Sequence, residues 1–372
     1  MRTLLVALGL AGVGLLACTS TGASPDGATT APSGDGGSSG ASGSSGSSGD
    51  GGGDASALPA STFLYLSRVS ADRDVLMAYD RGSGEARVVT DLRGDGSPGW
   101  KIADYSLSAD RTRIAIASLF GPTQADVDTG LATNRIWTLA ADGSDFRRLT
   151  PTFENKSAGR SRYAIEVTDP TFARDGASVL FSYGEYWWEG SNLLGAAGIF
   201  SAGAAGDGAT ALFKAPSPCS LVSPSVDPST GKVAIIHSVC VPGQGQDGIY
   251  LHAEDGSGEP ELLVRSDAAV DVMLVTPRWV ADGSGFLFVA LANHSVRGLY
   301  VFDAASRETA PVVVPSGADS RVIDGAMAPD GSGIVYCLQE GEASNLHLID
   351  LTEDPATDAA ITTDGKSCHP VW

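Results

Sequence analysis

A strand–turn–strand pattern recurs along the chain and limits its possible folds more than any other feature. Each copy has an apolar or Pro-containing strand, a tight turn and a second apolar strand, and the copies are spaced by about 50 residues. In three copies an Asp-Gly pair supplies the positive-φ residue that a tight hairpin needs. A third strand and a short fourth strand follow each pair. Each unit is therefore predicted to be a four-stranded antiparallel meander. The five copies begin at Tyr105, Thr171, Ser225, Arg278 and Ala326.

The two ends of the chain predict how these units are arranged. Residues 63–67 have the form of a second strand with no first strand before them. The last residues, His369 to Trp372, have the Pro-x-Trp form that ends a first strand at Pro277 to Trp279. The C-terminus thus supplies the strand that the N-terminus lacks, which gives six units of about 52 residues. We predict an all-β fold over residues 60–372: a six-bladed β-propeller whose C-terminal strand closes the first blade and removes two sheet edges.

The turn Pro-x-Trp-x-x-Asp-Gly followed by an apolar triplet resembles the repeat of the TolB-like six-bladed propellers of bacterial envelope proteins. The resemblance covers residues 62–372, although Asp110-Arg111 and the run from Pro228 to Gly231 depart from the turn. It implies a protein of the cell envelope.

The N-terminus predicts export and lipidation. Arg2 precedes an apolar run from Leu4 to Ala17, which is too short to span a bilayer and is typical of a secretory signal. The run ends in Leu-Leu-Ala-Cys and resembles a bacterial lipobox, so we expect cleavage of residues 1–17 and acylation of Cys18. Thr19 resembles the pattern for outer-membrane sorting, with the protein facing the periplasm or the cell surface. Cleavage at another small residue, without a lipid, is the alternative.

Residues 18–59 are rich in Ser and Gly and contain nothing that can bury a core, so we predict a disordered tether. Acidic residues outnumber basic ones by 44 to 24, a formal net charge of -20. The phosphate backbone of nucleic acid would repel such a chain, which excludes nucleic acid as a partner. The predicted propeller contains no serine-hydrolase elbow, zinc-protease motif, EF-hand loop or nucleotide fingerprint.

Four cysteines remain beyond Cys18, an even number for an oxidising compartment. Cys219 and Cys240 lie on the two arms of one hairpin, and a turn centred on residues 229 and 230 would place them directly opposite each other. Cys337, in the second strand of the last unit, and Cys368, in the closure strand, would fasten the two ends of the ring. We predict both disulfides, with free buried thiols as the alternative.

One short polar or ionisable residue stands just before the Pro-x-Trp position of each inner strand. Four of them adjoin around the ring, and such oxygen and imidazole groups could hold a hard cation such as Ca²⁺. The alternative is that these side chains bond the neighbouring backbone and line a wet channel. No other cofactor is predicted. In blade order the six are His369, Asp104, Asp169, Ser223, Thr276 and Asp324, and the proposed cation ligands are Asp104, Asp169, Asp324 and His369.

Long segments gather on one face, where second-to-third and fourth-to-first connections emerge. We interpret residues 119–133, 151–163 and 183–194 as loops that raise a rim on blades two and three. Aromatic residues and Arg dominate binding hot spots, and Trp or Tyr also stack on sugars. Tryptophans that merely pin a loop to the body are the alternative. The rim contains Tyr183, Tyr186, Trp187, Trp188, Arg147, Arg148, Lys156, Arg160 and Arg162.

These observations predict a monomeric, lipid-anchored, non-enzymatic propeller that binds a protein, peptide or glycan through the rim of Tyr183, Tyr186, Trp187, Trp188, Arg160 and Arg162. The competing hypothesis is a carbohydrate-active hydrolase or lyase that uses the acidic and His arc at the channel mouth as acid and base. A deep channel pocket with paired carboxylates would favour the enzyme. A plugged channel with an aromatic rim would favour the binding module.

Overall fold

The computed structural model describes most of the unit that runs from Gly53 to Trp372. The described residues are 56–71, 73–91, 101–119, 133–150, 161–189, 192–204, 206, 208–213, 219–240, 243–267, 269–292, 295–317 and 319–372. At 161–163, 189, 192–194 and 196 the description is of the backbone only. The predicted signal, Cys18, Arg160 and most of the tether lie outside these residues. Among the residues described, no helix is long and apolar enough to cross a membrane.

The strands form six antiparallel blades in a ring, as predicted. Blades one to three contain β1 (Thr62–Ser70), β2 (Arg73–Asp80) and β3 (Glu85–Thr90); β4 (Ile102–Leu107), β5 (Arg113–Ser118), β6 (Arg135–Ala140) and β7 (Arg147–Arg148); and β8 (Ser161–Phe172), β9 (Ser178–Glu189), β10 (Asn192–Gly203) and β11 (Ala209–Phe213). Blades four to six contain β12 (Ser220–Val226), β13 (Val233–Ser238), β14 (Gly248–His252) and β15 (Glu261–Arg265); β16 (Val270–Val272), β17 (Arg278–Trp279), β18 (Gly285–Ala292), β19 (Val296–Asp303) and β20 (Glu308–Val313); and β21 (Ser320–Met327), β22 (Gly333–Glu340), β23 (Ala343–Asp350) and β24 (Thr357–Ala360). The chain ends with β25 (Ser367–Val371).

The ring is closed by β25, which becomes the inner strand of blade one. It pairs antiparallel with β1, with Leu64 opposite Val371 and Leu66 opposite Cys368. Beyond the strand, the Trp372 indole N–H donates to the carbonyl oxygen of Ala60 over 2.8 Å. This confirms the predicted closure. Leu58, within the predicted tether, is only 5% exposed and packs in the core between blades one and two, so the folded part begins before residue 60.

Apolar clusters between neighbouring blades form the core. Each pair of adjacent blades contributes one cluster, and the middle strands are buried on both faces. Strands β5 and β13, for example, are almost wholly buried, which explains why they read as continuous apolar runs rather than as alternating ones.

The tight turns follow the chemistry that the repeats predict. Gly176, Gly283 and Gly331 have φ between +68° and +74°, and the preceding Asp accepts a hydrogen bond from the backbone N–H two residues later. Where the motif departs from Asp-Gly, Arg111 itself adopts φ 63°. Its guanidinium donates to the carbonyl oxygens of Leu58, Pro59 and Thr62. This variation in the turn therefore links the first residues of the propeller to blade two.

Both predicted disulfides are present, Cys219–Cys240 in blade four and Cys337–Cys368 between β22 and β25. The second bond joins blade six to the closure strand. The first differs from expectation in register: a bulge between Val222 and Ser225 shifts the pairing of β12 and β13 by one residue, so Ser220 lies opposite Ser238. Cys219 and Cys240 lie just beyond the last of these pairs, with their Cα atoms 4.0 Å apart.

Candidate functional site

A repeated β-bulge places the six predicted channel residues at one level of the ring. The pairing shifts by one residue at or beside this position in the inner strands of blades one, two, three, four and six. At Asp169, Ser223 and His369 the backbone is left-handed, with φ between 52° and 55°. Blade five instead has a break between β16 and β17. A bulge re-aims a side chain away from the pleat, which accounts for the alignment seen in the sequence.

The acidic arc converges on an arginine of blade five. One terminal nitrogen of Arg278 lies 2.8 Å from an oxygen of Asp324 and 3.6 Å from an oxygen of Asp104. All three side chains are largely buried, with Arg278 only 11% exposed. The Nδ1 atom of His369 lies 3.9 Å from Asp324. A protein cation thus lies between two of the carboxylates that the sequence offered as ligands of a metal ion.

Thr276 joins the opposite sides of the ring. Its hydroxyl contacts a carboxylate oxygen of Asp104 at 3.0 Å and one of Asp169 at 3.4 Å. Because these contacts and the Arg278 pairs join blade five to blades two and three, they cross the channel at this level. The second oxygen of Asp169 accepts hydrogen bonds from Thr168 and Ser182, each over 2.8 Å, so this carboxylate is fully engaged.

Burial and the surrounding charges set the protonation of this cluster. Burial raises the pKa of Asp104 to about 6, although Arg278 opposes the shift. Burial would also raise the pKa of Asp324, but the charge of Arg278, the neighbouring His369 and the hydrogen bonds from Arg278 outweigh it and hold that pKa below its usual value. The pKa of Arg278 is raised: burial alone would lower it, but Asp324 and Asp104 favour the charged form more strongly.

The structure connects all four residues of the predicted cation arc: Asp104 and Asp324 contact Arg278, His369 lies beside Asp324, and Asp169 is linked to Asp104 through the Thr276 hydroxyl. Among the described residues, no group of three or more His, Cys, Asp or Glu side chains is arranged to hold a metal ion. Sequence reasoning missed Arg278 because it lies at the x position of Pro-x-Trp. The available signal was its size, since the other five inner strands have a smaller residue at the equivalent position: Ser106, Thr171, Ser225, Ala326 and Val371.

The blade-three part of the predicted rim is sheet rather than loop, whereas residues 120–132 and 151–160 of the rim lie outside the described residues. Strands β8, β9 and β10 are each 12 residues long, against two to nine residues elsewhere. Asn192 pairs with Glu189 and Gly195 with Tyr186, so the interpretation of residues 183–194 as a loop was wrong. A glycine in β9 permits close packing here. The Tyr186 ring lies over Gly184, where a Cβ would meet it at 2.6 Å.

The alternation of β9 separates the rim aromatics onto two faces. Tyr183 and Trp187 share the face turned to blade two, and Tyr186 and Trp188 share the face turned to blade four. Tyr183 is held in place, since its ring lies 4.8 Å from that of Phe200 and its hydroxyl donates to Glu185 over 2.7 Å. All four side chains are half-buried. The rim is therefore a sheet with aromatic residues on both faces.

The predicted basic residues of the rim are placed only in part. Arg147 and Arg148 form the short outer strand β7 of blade two and are exposed. Arg147 pairs with Asp145 over 3.1 Å. Arg162 belongs to β8, where the structure describes only its backbone. Arg160 and Lys156 lie outside the described residues.

Burial also shifts the pKa of a tyrosine on the blade-four face of β9. The pKa of Tyr186 is raised by burial and then by the carboxylates of Glu166 and Asp169. Asp169 therefore influences both the channel network and the blade-four face of the extended sheet.

Known structures share this architecture, whereas no protein-family model and no curated protein matches the sequence. TolB from Acinetobacter baumannii has a TM-score of 0.57 and 18% identity, over 86% of this chain and 67% of TolB. Kuenenia stuttgartiensis hydrazine synthase has a TM-score of 0.56 and 13% identity, over 84% of this chain and 46% of that one. A chain of the nidogen/laminin complex has a TM-score of 0.52 and 12% identity, over 83% and 97%. The described residues thus have the fold of a TolB-like six-bladed β-propeller.

Proposed function

We propose that this protein is a non-enzymatic binding module of the bacterial cell envelope, whose partner docks on the extended sheet of blade three. The observation that carries the proposal is that Arg278 and Thr276 cross the channel and engage its carboxylates. General acid–base catalysis needs a carboxyl group that can reach its substrate. Here Asp104 and Asp324 contact Arg278, and Asp169 accepts hydrogen bonds from neighbouring hydroxyls.

The extended sheet supports binding for a different reason. Its three paired strands present Tyr186, Trp187 and Trp188 on a regular, hydrogen-bonded framework. Large aromatic side chains on a rigid support lose little conformational entropy when they are covered, and they recur at the energetic centres of interfaces. The expected partner is a protein, a peptide or a glycan, and the acidic charge of the chain disfavours nucleic acid.

The location follows from the two disulfides and from the N-terminal sequence. Disulfides persist in oxidising compartments, which is consistent with the periplasm or the envelope. We further propose that acylated Cys18 anchors the protein in the outer membrane and that residues 18–59 separate the propeller from that membrane. Globomycin, which blocks lipoprotein signal cleavage, should cause the uncleaved form to accumulate, and Cys18→Ser should abolish incorporation of labelled fatty acid into the protein.

The alternative function, a carbohydrate-active hydrolase or lyase, has one observation in its favour. Asp104 and Asp324 lie around the same guanidinium, yet the pKa of one is raised to about 6 and that of the other is lowered. Such separation is characteristic of an acid and base pair. Turnover of an acidic or neutral polysaccharide that is lost in Asp104→Asn would establish the enzyme and overturn the binding proposal.

Capture from native membranes tests the binding site. The full-length protein and the Trp187→Ala, Trp188→Ala double variant serve as bait. We expect the wild type to retain a specific partner and the double variant to lose it while keeping the same unfolding temperature. A matched control, Val314→Ala with Leu351→Ala, removes exposed apolar side chains from other blades and should not change capture. Equal capture by the Trp variant would overturn the assignment of the site.

A further inference from the structure

The blade-four face of the extended sheet places a carboxylate beside an aromatic ring. Along β9, Gly184, Tyr186 and Trp188 alternate onto this face. On the neighbouring strand β8, Glu166 stands directly opposite Gly184. Residues opposite each other in an antiparallel pair point to the same face, with their Cβ atoms about 4.5–5.5 Å apart. Glu166 therefore shares this face with Tyr186.

Gly184 allows the Tyr186 ring to reach the neighbourhood of Glu166. The ring lies along the sheet over Gly184, where a Cβ would come within 2.6 Å of a ring carbon and 2.7 Å of the hydroxyl oxygen. Since Glu166 is the cross-strand neighbour of Gly184, the phenol and the carboxylate are adjacent. The charge of Glu166 accordingly contributes, after burial, to the raised pKa of Tyr186.

Neither of these two polar groups has a partner among the residues that the structure describes. Glu166 is exposed and forms no hydrogen bond or ion pair with them, and the Tyr186 hydroxyl forms no hydrogen bond. Partial burial raises the pKa of Glu166, and the charge of Asp169 raises it further, with no cation to oppose the shift. The channel carboxylates, by contrast, share Arg278. The negative charge of Glu166 thus lacks a counter-charge from the described part of the propeller.

We propose that a basic side chain of a protein partner, lysine or arginine, binds between Glu166 and Tyr186. This inference rests on the proposed function of the extended sheet and specifies the chemistry of the partner there. An ammonium or guanidinium group donates hydrogen bonds to the carboxylate and to the phenol oxygen, and its charge also favours a position against the aromatic ring. A neutral glycan would leave the charge of Glu166 uncompensated.

Two defined peptides test this contact with the full-length protein in detergent solution. One alternates lysine with glycine, the other alternates arginine with glycine, and the first with acetylated lysines is the neutral control. Fluorescence anisotropy should show binding of a basic peptide, and the tighter of the two identifies the preferred side chain. We expect the affinity to fall roughly tenfold in Glu166→Gln and roughly threefold in Tyr186→Leu. Glu308→Gln, at an exposed position on β20, changes the net charge equally and should keep the wild-type affinity.

Two results with these peptides would overturn the proposal. Equal weakening in Glu166→Gln and Glu308→Gln would mean that the peptides respond only to the overall negative charge. Wild-type affinity in Glu166→Gln would mean that this carboxylate makes no contact with the basic group. Because Glu166 is exposed, the variant should keep the unfolding temperature of the wild type, which is measured on the same samples.

Capture from native membranes separates this inference from the proposed function. Baits carrying Glu166→Gln and the Trp187→Ala, Trp188→Ala pair are compared with the wild type. We expect both baits to lose a captured protein. Loss in the Trp variant with full retention in Glu166→Gln would overturn the basic contact and leave the docking surface in place, as would a neutral glycan as the captured partner. Retention in both baits would overturn the docking surface itself.

Discussion

Arg278 of blade five and Asp104 of blade two come from opposite sides of the ring, yet their charged groups lie 3.6 Å apart in the channel. The same guanidinium is 2.8 Å from Asp324 of blade six. One side chain thereby connects three blades that share no strand pairing. A contact of this kind makes the channel part of the core rather than a pore between independent sheets.

Arg278→Met should destabilise the propeller strongly. It retains the length of the side chain but leaves Asp104 and Asp324 buried without their counter-charge, which costs about 3–5 kcal/mol in the free energy of unfolding. Urea denaturation followed by tryptophan fluorescence measures the loss. Arg307→Met breaks a half-exposed pair with Glu261 and should cost about 1 kcal/mol or less. Similar losses in the two variants would contradict the central role of Arg278.

Asp104 should make the stability of the protein depend on pH in an identifiable window. Its pKa is about 6 in the folded chain against 3.8 when unfolded, so between these values the folded state binds more protons and stability falls as pH rises. Asp104→Asn removes this dependence. Relative to that of the wild type, the free energy of unfolding of this variant should rise by about 1–3 kcal/mol between pH 4 and pH 7.

Urea denaturation at four pH values across this range measures the effect. Asp319→Asn, in the exposed turn before β21, is the control and should follow the wild-type curve in parallel. If the free energy of unfolding of Asp104→Asn has the same pH dependence as that of the wild type, the Asp104 carboxyl does not titrate between pH 4 and pH 7.

The ring itself was predictable because it depends on local patterns repeated at a regular spacing. The Pro-x-Trp form at the C-terminus identified β25 as the missing strand, and the equivalent positions of Asp104, Asp324 and His369 followed from their place in the repeat. What periodicity cannot show is a contact across the ring. Thr276 and Arg278 belong to blade five, and only the closed ring brings them to Asp104 on the far side.

The extended sheet escaped prediction because the loop interpretation of residues 183–194 rested on the length of the segment. The repeat predicts short strands, but here the pairing of β9 with β10 continues to Glu189 and Asn192. Gly184 and Gly195 are sites of close approach within this sheet. The bulge between Val222 and Ser225 was missed similarly, since one added residue leaves the apolar pattern on either side unchanged.

The Cys337–Cys368 disulfide should control the opening of the ring. Replacing both cysteines with Ala removes the covalent link between β22 and the closure strand, and should lower the free energy of unfolding by about 2–4 kcal/mol. Hydrogen exchange should also reveal faster exchange of the β25 amides. The Cys219→Ala, Cys240→Ala variant loses a bond of similar sequence separation within one blade and should leave β25 protected. Unchanged protection of β25 in the first variant would show that strand pairing alone holds the closure.

Gly195→Ala should disrupt the extended sheet while leaving the propeller intact. Gly195 has φ of +114°, and a Cβ there would lie 1.9 Å from the carbonyl oxygen of Glu185 on β9. Because that atom belongs to the paired backbone, no side-chain rotation relieves the clash, and the outer half of the β9–β10 pair must separate. We expect faster hydrogen exchange of the amides near Tyr186 and loss of the partner captured by the wild type.

The matched control, Gly176→Ala, has a left-handed backbone with nothing within 4 Å of the added methyl group, so it should cost about 1 kcal/mol and leave capture unchanged. The clash in Gly195→Ala lies in the part of β9 that extends past the length of the other blades. The unfolding transition of this variant should therefore stay close to that of Gly176→Ala. If capture persists after exchange shows that the pairing is lost, the partner binds elsewhere on the propeller. If the whole domain unfolds, the extended sheet is part of the folding core rather than a surface carried by it.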